Sequence, residues 1–288
     1  MTRLLAWRGA AGRFAAAHRT PIVSAAILVF VGLLAVFAAQ LGLRFADLRG
    51  DAVVLAFLTV PFGMALNALE LRLCVRATGR DLPFGAAFLH SSVATLANIL
   101  PLPAGLAWRA KVIADGGAGA VTIGRILLLA GLLWIALSTL CVALALLVGA
   151  HGATGLALLA LAAVASLAVA GIIAWTATPL VAAGFVAVRV AAIAVVVLRI
   201  DLCLLAIGVE VPMVEAAIFA LAGVVGNAVG FVPAGIGVAE GVAALLATLV
   251  TVAPAAAFVA LALSRLLCWA ACLAPLALFA ARRAPAPS

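Results

Sequence analysis

Apolar runs of roughly 20 residues recur along the chain, each long enough to cross a ~30 Å hydrocarbon core as a helix. They fall at residues 21–41, 52–72, 121–149, 155–176, 180–207 and 255–281. No arrangement in water can hide so many such runs in a chain of 288 residues that is 69% hydrophobic and 9% charged. Their composition is Ala, Leu, Val and Gly without period-two alternation, so the expectation is a helical bundle rather than a barrel. Small residues throughout let helix backbones approach closely.

Two further apolar regions differ in kind. Residues 83–118 and 212–252 are each broken near the middle, by ILPLPAGLAWRAK in one and GFVPAGIGVAEG in the other. Proline removes a backbone donor and glycine accepts unusual dihedrals, so each break frees polar backbone groups. At membrane depth such groups persist only when buried in protein or lining a wet cavity. Both regions therefore read as re-entrant or broken hairpins. Asn98, Pro101, Pro103 and Gly105 mark the first break; Asn227, Pro233, Gly235 and Gly237 mark the second. The two asparagine amides are suited to satisfy the freed backbone groups.

The halves also resemble each other. GRDLPFGAAF (79–88) aligns with GVEVPMVEAA (208–217), Cys74 with Cys203, Asn98 with Asn227, and PAG at 103–105 with PAG at 233–235. GRILL (124–128) aligns with SRLLC (264–268). The expected architecture is all-α and polytopic, with six full spans, two hairpins and an inverted internal repeat. Repeat one covers about 21–149 and repeat two about 155–281.

Charge placement sets the expected topology. One face collects Arg3, Arg8, Arg13 and Arg19, then Arg72, Arg76, Arg80, Arg125, Arg282 and Arg283. The other collects Arg44, Asp47, Arg49, Asp51, His151, Glu210 and Glu215. By the positive-inside rule the first face is cytoplasmic, with both termini there. Residues 1–20 read as a basic cytoplasmic lead-in to an uncleaved span and 282–288 as a cytoplasmic tail, in the cytoplasmic (inner) membrane. The net charge of +8 is a topology and lipid-surface signal, not a nucleic-acid one.

Charges inside the broken regions mark function by default. Arg109 and Lys111 follow the first break, and Glu240 takes the matching place after the second. Arginine grips a phosphate through two donors and lysine offers a point charge. Arg109, Lys111 and Arg265 are thus candidates for binding a lipid head group, and Glu240 for gating or charge balance. The competing reading is an Arg109–Glu240 pair that locks the hairpin tips together. Asp201 is expected to pair with Arg199 or Arg265, Glu70 with Arg72 or another interfacial base, and Arg125 to snorkel. His18, His90 and His151 are scattered, and Cys268 and Cys272 share a face without a histidine or carboxylate. No metal site, cofactor site or catalytic constellation is expected.

These residues resemble a known family. NILPLPAGLAWRAKVI (98–113) is similar to the N-x-L-P-x-x-x-G-x-x-x-R segment of the lysylphosphatidylglycerol synthase/flippase transmembrane family. VPAGIGVAEG (232–241) is similar to its P-G-G-[IL]-G-x-x-E signature, and GRILL and SRLLC to its arginine-leucine positions. The chain departs from the pattern at Ala234, at Ala239 where an arginine is usual, and at Gly124 where an acid is usual. The resemblance implies a lipid-translocating membrane domain without the aminoacyl-transferring domain, hence not an enzyme. It implies an anionic, isoprenoid or glycolipid partner and, for some members, a lipid-modifying enzyme nearby. Small-solute secondary transport and scaffolding of a lipid-modifying glycosyltransferase stand as alternatives.

Overall fold

The fold is described from a computed structural model covering residues 19–98, 104–115, 117–148, 152–228 and 235–283. Pro101, Pro103 and Pro233 lie outside the described residues, as do His18, His151 and most of the basic lead-in.

Every long apolar run forms a helix. In chain order these are α1 (Arg19–Gln40), α2 (Gly50–Arg76), α3 (Phe84–Ala97), α4 (Ala104–Ala114), α5 (Ala120–Val148) and α6 (Gly152–Thr176). They continue with α7 (Pro179–Ala206), α8 (Met213–Ile218), α9 (Ala220–Ala228), α10 (Val238–Leu246) and α11 (Pro254–Arg283). No strand occurs among the described residues. Helices α2, α5, α6, α7 and Pro254–Pro275 of α11 are long and apolar enough to cross a bilayer, and α1 adds 22 residues. Large apolar side chains face outward, with Leu28, Leu167 and Leu180 more than seven-tenths exposed. Such a surface is stable only against lipid. The protein is a multi-pass helical membrane protein.

Local chemistry fixes the helix boundaries. Thr178 caps α7, its Oγ1 accepting the Val181 N–H at 3.2 Å, and Pro179 occupies the first turn, where no donor is lost. Asp51 stands in the first turn of α2 and Arg76 in its last, each complementing the helix dipole.

The order of elements occurs twice: two long helices, a broken pair and a long helix. Packing follows the same plan. Helices α2 and α7 pack against each other at the centre, antiparallel, with Leu73 beside Gly184 and Val195 beside Gly63. The first hairpin lies against α11 and the second against α5; likewise α1 lies against α11 and α6 against α5. Each half thus sets its first helix and part of its hairpin against the terminal helix of the other half, while α10 also packs on α11 and α4 on α5 within their own halves.

Two apolar cores divide α7 between them. One gathers Leu71, Ile113, Leu133 and Phe185 around the first stretch of α7; the other gathers Leu204, Phe219, Ala243 and Ala260 around its end. Polar loops collect at opposite ends of the bundle. Arg49 pairs with Asp51 and with Glu210, each at 3.4 Å, and Glu215 accepts from Thr251 at one end. Arg72 pairs with Asp81 at 3.3 Å at the other.

Candidate functional site

Both breaks are built on a close backbone approach. At the first, the Gly105 N–H donates to Asn98 Oδ1 at 3.1 Å. A Cβ on Gly105 would stand 2.3 Å from the Ala94 carbonyl oxygen. At the second, a Cβ on Gly235 would stand 2.1 Å from the Gly226 carbonyl oxygen, and Gly235 has φ +61°. The aligned glycines therefore do the same work in both halves. Only hydrogen fits there. Asn227 closes α9.

The limbs of the first break run back along each other. Gly105 meets Ala94 and Asn98, while three residues later the Trp108 ring lies 5.9 Å from the His90 ring. Stepping forward along α4 means stepping backward along α3. Helices of 14 and 11 residues span only about 21 and 16 Å, too little to cross a bilayer singly.

Glu70, 1% exposed, is the centre of the first charged cluster. It lies about two turns before the end of α2. Its Oε2 accepts from Arg109 Nη1 of α4 at 3.3 Å, and its Oε1 accepts from Arg189 Nη2 of α7. The Arg189 guanidinium also sits 4.5 Å from the Trp134 ring centroid on α5, over its negative face. A single buried carboxylate would be costly, and two charge-assisted bonds offset that desolvation. One carboxylate cannot neutralise two guanidinium groups, so the cluster keeps one formal positive charge. Arg189 is sealed in, whereas the Arg109 side chain is 20% exposed. Beside it, exposed Lys111 stands 5.6 Å from the Trp108 ring centroid. Two buried nitrogens at this place, His90 Nδ1 and Trp108 Nε1, have no hydrogen-bond partner among the described residues.

Glu240 forms the second cluster, in the other half. It is 0% exposed. Its Oε2 accepts the Gly237 N–H at 2.8 Å, capping α10, and its Oε1 lies 2.8 Å from Arg265 Nε of α11. Arg265 also reaches the Gly235 carbonyl oxygen at 3.4 Å and lies 5.9 Å from the Trp269 ring centroid. The break, its cap and a spanning helix are thereby joined through one carboxylate.

Several expected pairings are replaced by others. Arg109 and Glu240 do not pair; each hairpin charge takes its partner from a long helix beside it, α2 and α7 for Arg109's cluster, α11 for Glu240. Glu70 does not pair with Arg72, because residues two apart on a helix point to different faces. Arg72 turns instead to Asp81 and to the Leu82 carbonyl oxygen. Asp201 has no ion-pair partner among the described residues; Arg199 turns to Ser264 of α11, its Nε donating to Oγ at 2.9 Å. Arg265 is not brought beside Arg109 and Lys111 but belongs to Glu240. Arg125 is exposed near the start of α5, at the mouth of a small pocket with Thr176 and Phe185. The five cysteines are free thiols, and no cluster of metal ligands occurs among the described residues.

Sequence reasoning missed the joint role of Glu70, Arg189 and Trp134. The available signal was two opposite charges inside separate apolar runs, Glu70 near the end of one and Arg189 well inside another, both toward run ends predicted to be cytoplasmic. No family model and no curated protein matches this chain.

Proposed function

We propose that the protein translocates an anionic, phosphate-bearing or glycosylated lipid across the cytoplasmic membrane, with both termini on the cytoplasmic side. The observation that carries this reading is Glu70, shared between a sealed arginine and an accessible one on a broken hairpin. A phosphodiester arriving from the leaflet competes with Glu70 for Arg109. Glu70 remains neutralised by Arg189 when Arg109 leaves it, so the exchange abandons no buried charge. Lys111 and the unpartnered His90 and Trp108 nitrogens offer further polar contacts on the same hairpin. The tail of the lipid stays against the apolar outer surface throughout. The resemblance to the lysylphosphatidylglycerol flippase family points the same way. In proteoliposomes carrying fluorescent anionic lipids, Arg109→Ala is expected to slow scrambling at least tenfold; wild-type rates for every anionic lipid tried would sink the proposal.

A second reading, an ion-coupled transporter of small solutes, draws on Glu240, a buried carboxylate tied at once to a hairpin cap and a spanning helix. It requires uptake that follows a proton or sodium gradient and disappears in Glu240→Gln.

A further inference from the structure

The Arg189 guanidinium grips Glu70 with only half of its fork. An arginine carries two parallel N–H bonds along one edge, at Nε and Nη2, spaced to match both oxygens of a single carboxylate. Here Nη2 donates to Glu70 Oε1, while the buried Nε has no hydrogen-bond partner among the described residues. Arg189 is 4% exposed, so bulk water does not satisfy that donor, and leaving it unmade is costly. The Trp134 ring centroid stands 4.5 Å from the guanidinium carbon and attracts the charge, but a ring face is no substitute for an oxygen at Nε. The oxygen that would complete the fork is engaged elsewhere. Glu70 Oε2 is drawn to Arg109 Nη1, at a long 3.3 Å. A glutamate carboxylate turns about a soft terminal torsion, so this engagement is reversible without moving a helix.

We infer that Glu70 is a two-position switch: shared between Arg109 and Arg189 in this structure, and held by both Nη2 and Nε of Arg189 once Arg109 is drawn away. In the first position each arginine holds one carboxylate oxygen. In the second, Oε2 turns to the vacant Nε, Arg109 is released with its charge uncompensated, and the buried carboxylate never lacks a cation. Arg189 is thus a positioning residue, touching no ligand and acting through Glu70, with Trp134 holding its guanidinium in place. The bond gained at Nε offsets much of the bond lost at Arg109, so an anion competing for Arg109 works only against the difference. The switch deepens the proposed function and rests on it only for what draws Arg109 away.

The test is NMR of the arginine Nε–H groups in delipidated full-length protein, isotope-labelled at arginine and held in a neutral maltoside detergent. The Arg189 signal is the one lost in Arg189→Lys, which keeps the charge but not the fork; its contact with the Trp134 ring protons identifies it should that variant not fold. In Arg109→Ala, where Oε2 has no competing donor, this signal is expected to shift downfield and to exchange with water at least ~10-fold more slowly than in wild type. Should Arg109→Ala not purify as monodisperse protein, Arg109→Met decides, since it keeps an apolar stem and lacks the donors. Dioleoyl phosphatidylglycerol added to wild type is expected to move the signal in the same direction. A signal that moves in Arg109→Ala but not with phosphatidylglycerol upholds the switch and counts against a lipid as what draws Arg109. A signal unchanged in the Arg109 variants overturns the switch and leaves Arg109-dependent scrambling standing, so the two proposals fail separately.

Discussion

At the scale of single residues, the firmest constraints are the two break glycines and Glu70. Gly235→Ala forces a methyl group onto the Gly226 carbonyl oxygen and strains a left-handed φ, and Gly105→Ala forces one onto the Ala94 carbonyl oxygen. Each is expected to destabilise the folded protein by roughly 2–4 kcal/mol. Gly131→Ala, at a helical site with nothing within 4 Å, is the control and should leave the melting temperature unchanged or slightly raised. Glu70→Gln leaves Arg109 and Arg189 facing each other without a counter-charge, a loss on the order of 3–5 kcal/mol. In detergent unfolding assays, Glu70→Gln/Arg189→Gln should be less destabilised than the sum of the two single variants; strict additivity would deny the pair. These glycines were legible in the sequence because the same tripeptide, PAG, recurs at aligned positions. The Glu70 cluster was not, because its members are 39 and 119 residues apart. Charge pairing across helices depends on depth and rotation, and neither is written in local spacing.

At the scale of elements, five of the six expected spans and both broken regions could be read directly, since length and apolarity decide whether a run can cross a bilayer. What the sequence withheld was the fine division of the second hairpin into α8, α9 and α10, where a helix interrupts itself at Phe219 without proline or glycine. The first hairpin has the clearer geometry. Its limbs run antiparallel, so the chain should leave the membrane on the side where it entered. Cysteines introduced singly at Arg80 and Ala118, in a background lacking the five native cysteines, are expected to react with a membrane-impermeant thiol reagent from one and the same side. Opposite-side labelling would mean that α3 and α4 together make a crossing, and the re-entrant reading would be lost. The shared side is the one where Arg72, Arg76 and Arg80 gather, the face expected to be cytoplasmic by the positive-inside rule, so labelling from inside would also test the proposed orientation.

At the scale of the whole molecule, the exchange of partners between halves separates what is fixed from what can move. Helices α2 and α7 form a long central seam, with leucine and glycine set side by side at Leu73 and Gly184. The hairpins lie outside that seam, packed against helices of both halves, and the charged residue of each is paired through one buried carboxylate, Glu70 or Glu240. A few ion pairs can be exchanged for a ligand, whereas an interdigitated apolar seam can only be broken at a large loss of packing. Transport by this architecture should therefore come from hairpin movement, with the seam acting as a frame. Joining Leu73→Cys to Gly184→Cys with a short thiol crosslinker is expected to leave lipid scrambling in proteoliposomes within about twofold of the uncrosslinked protein. Tethering Leu96→Cys at the tip of the first hairpin to native Cys272 of α11, which share one apolar cluster, should abolish scrambling and release it on reduction. The opposite pattern, activity lost at the seam and kept with the hairpin tethered, would make the two halves rocking bodies and leave Arg109 as a structural tie.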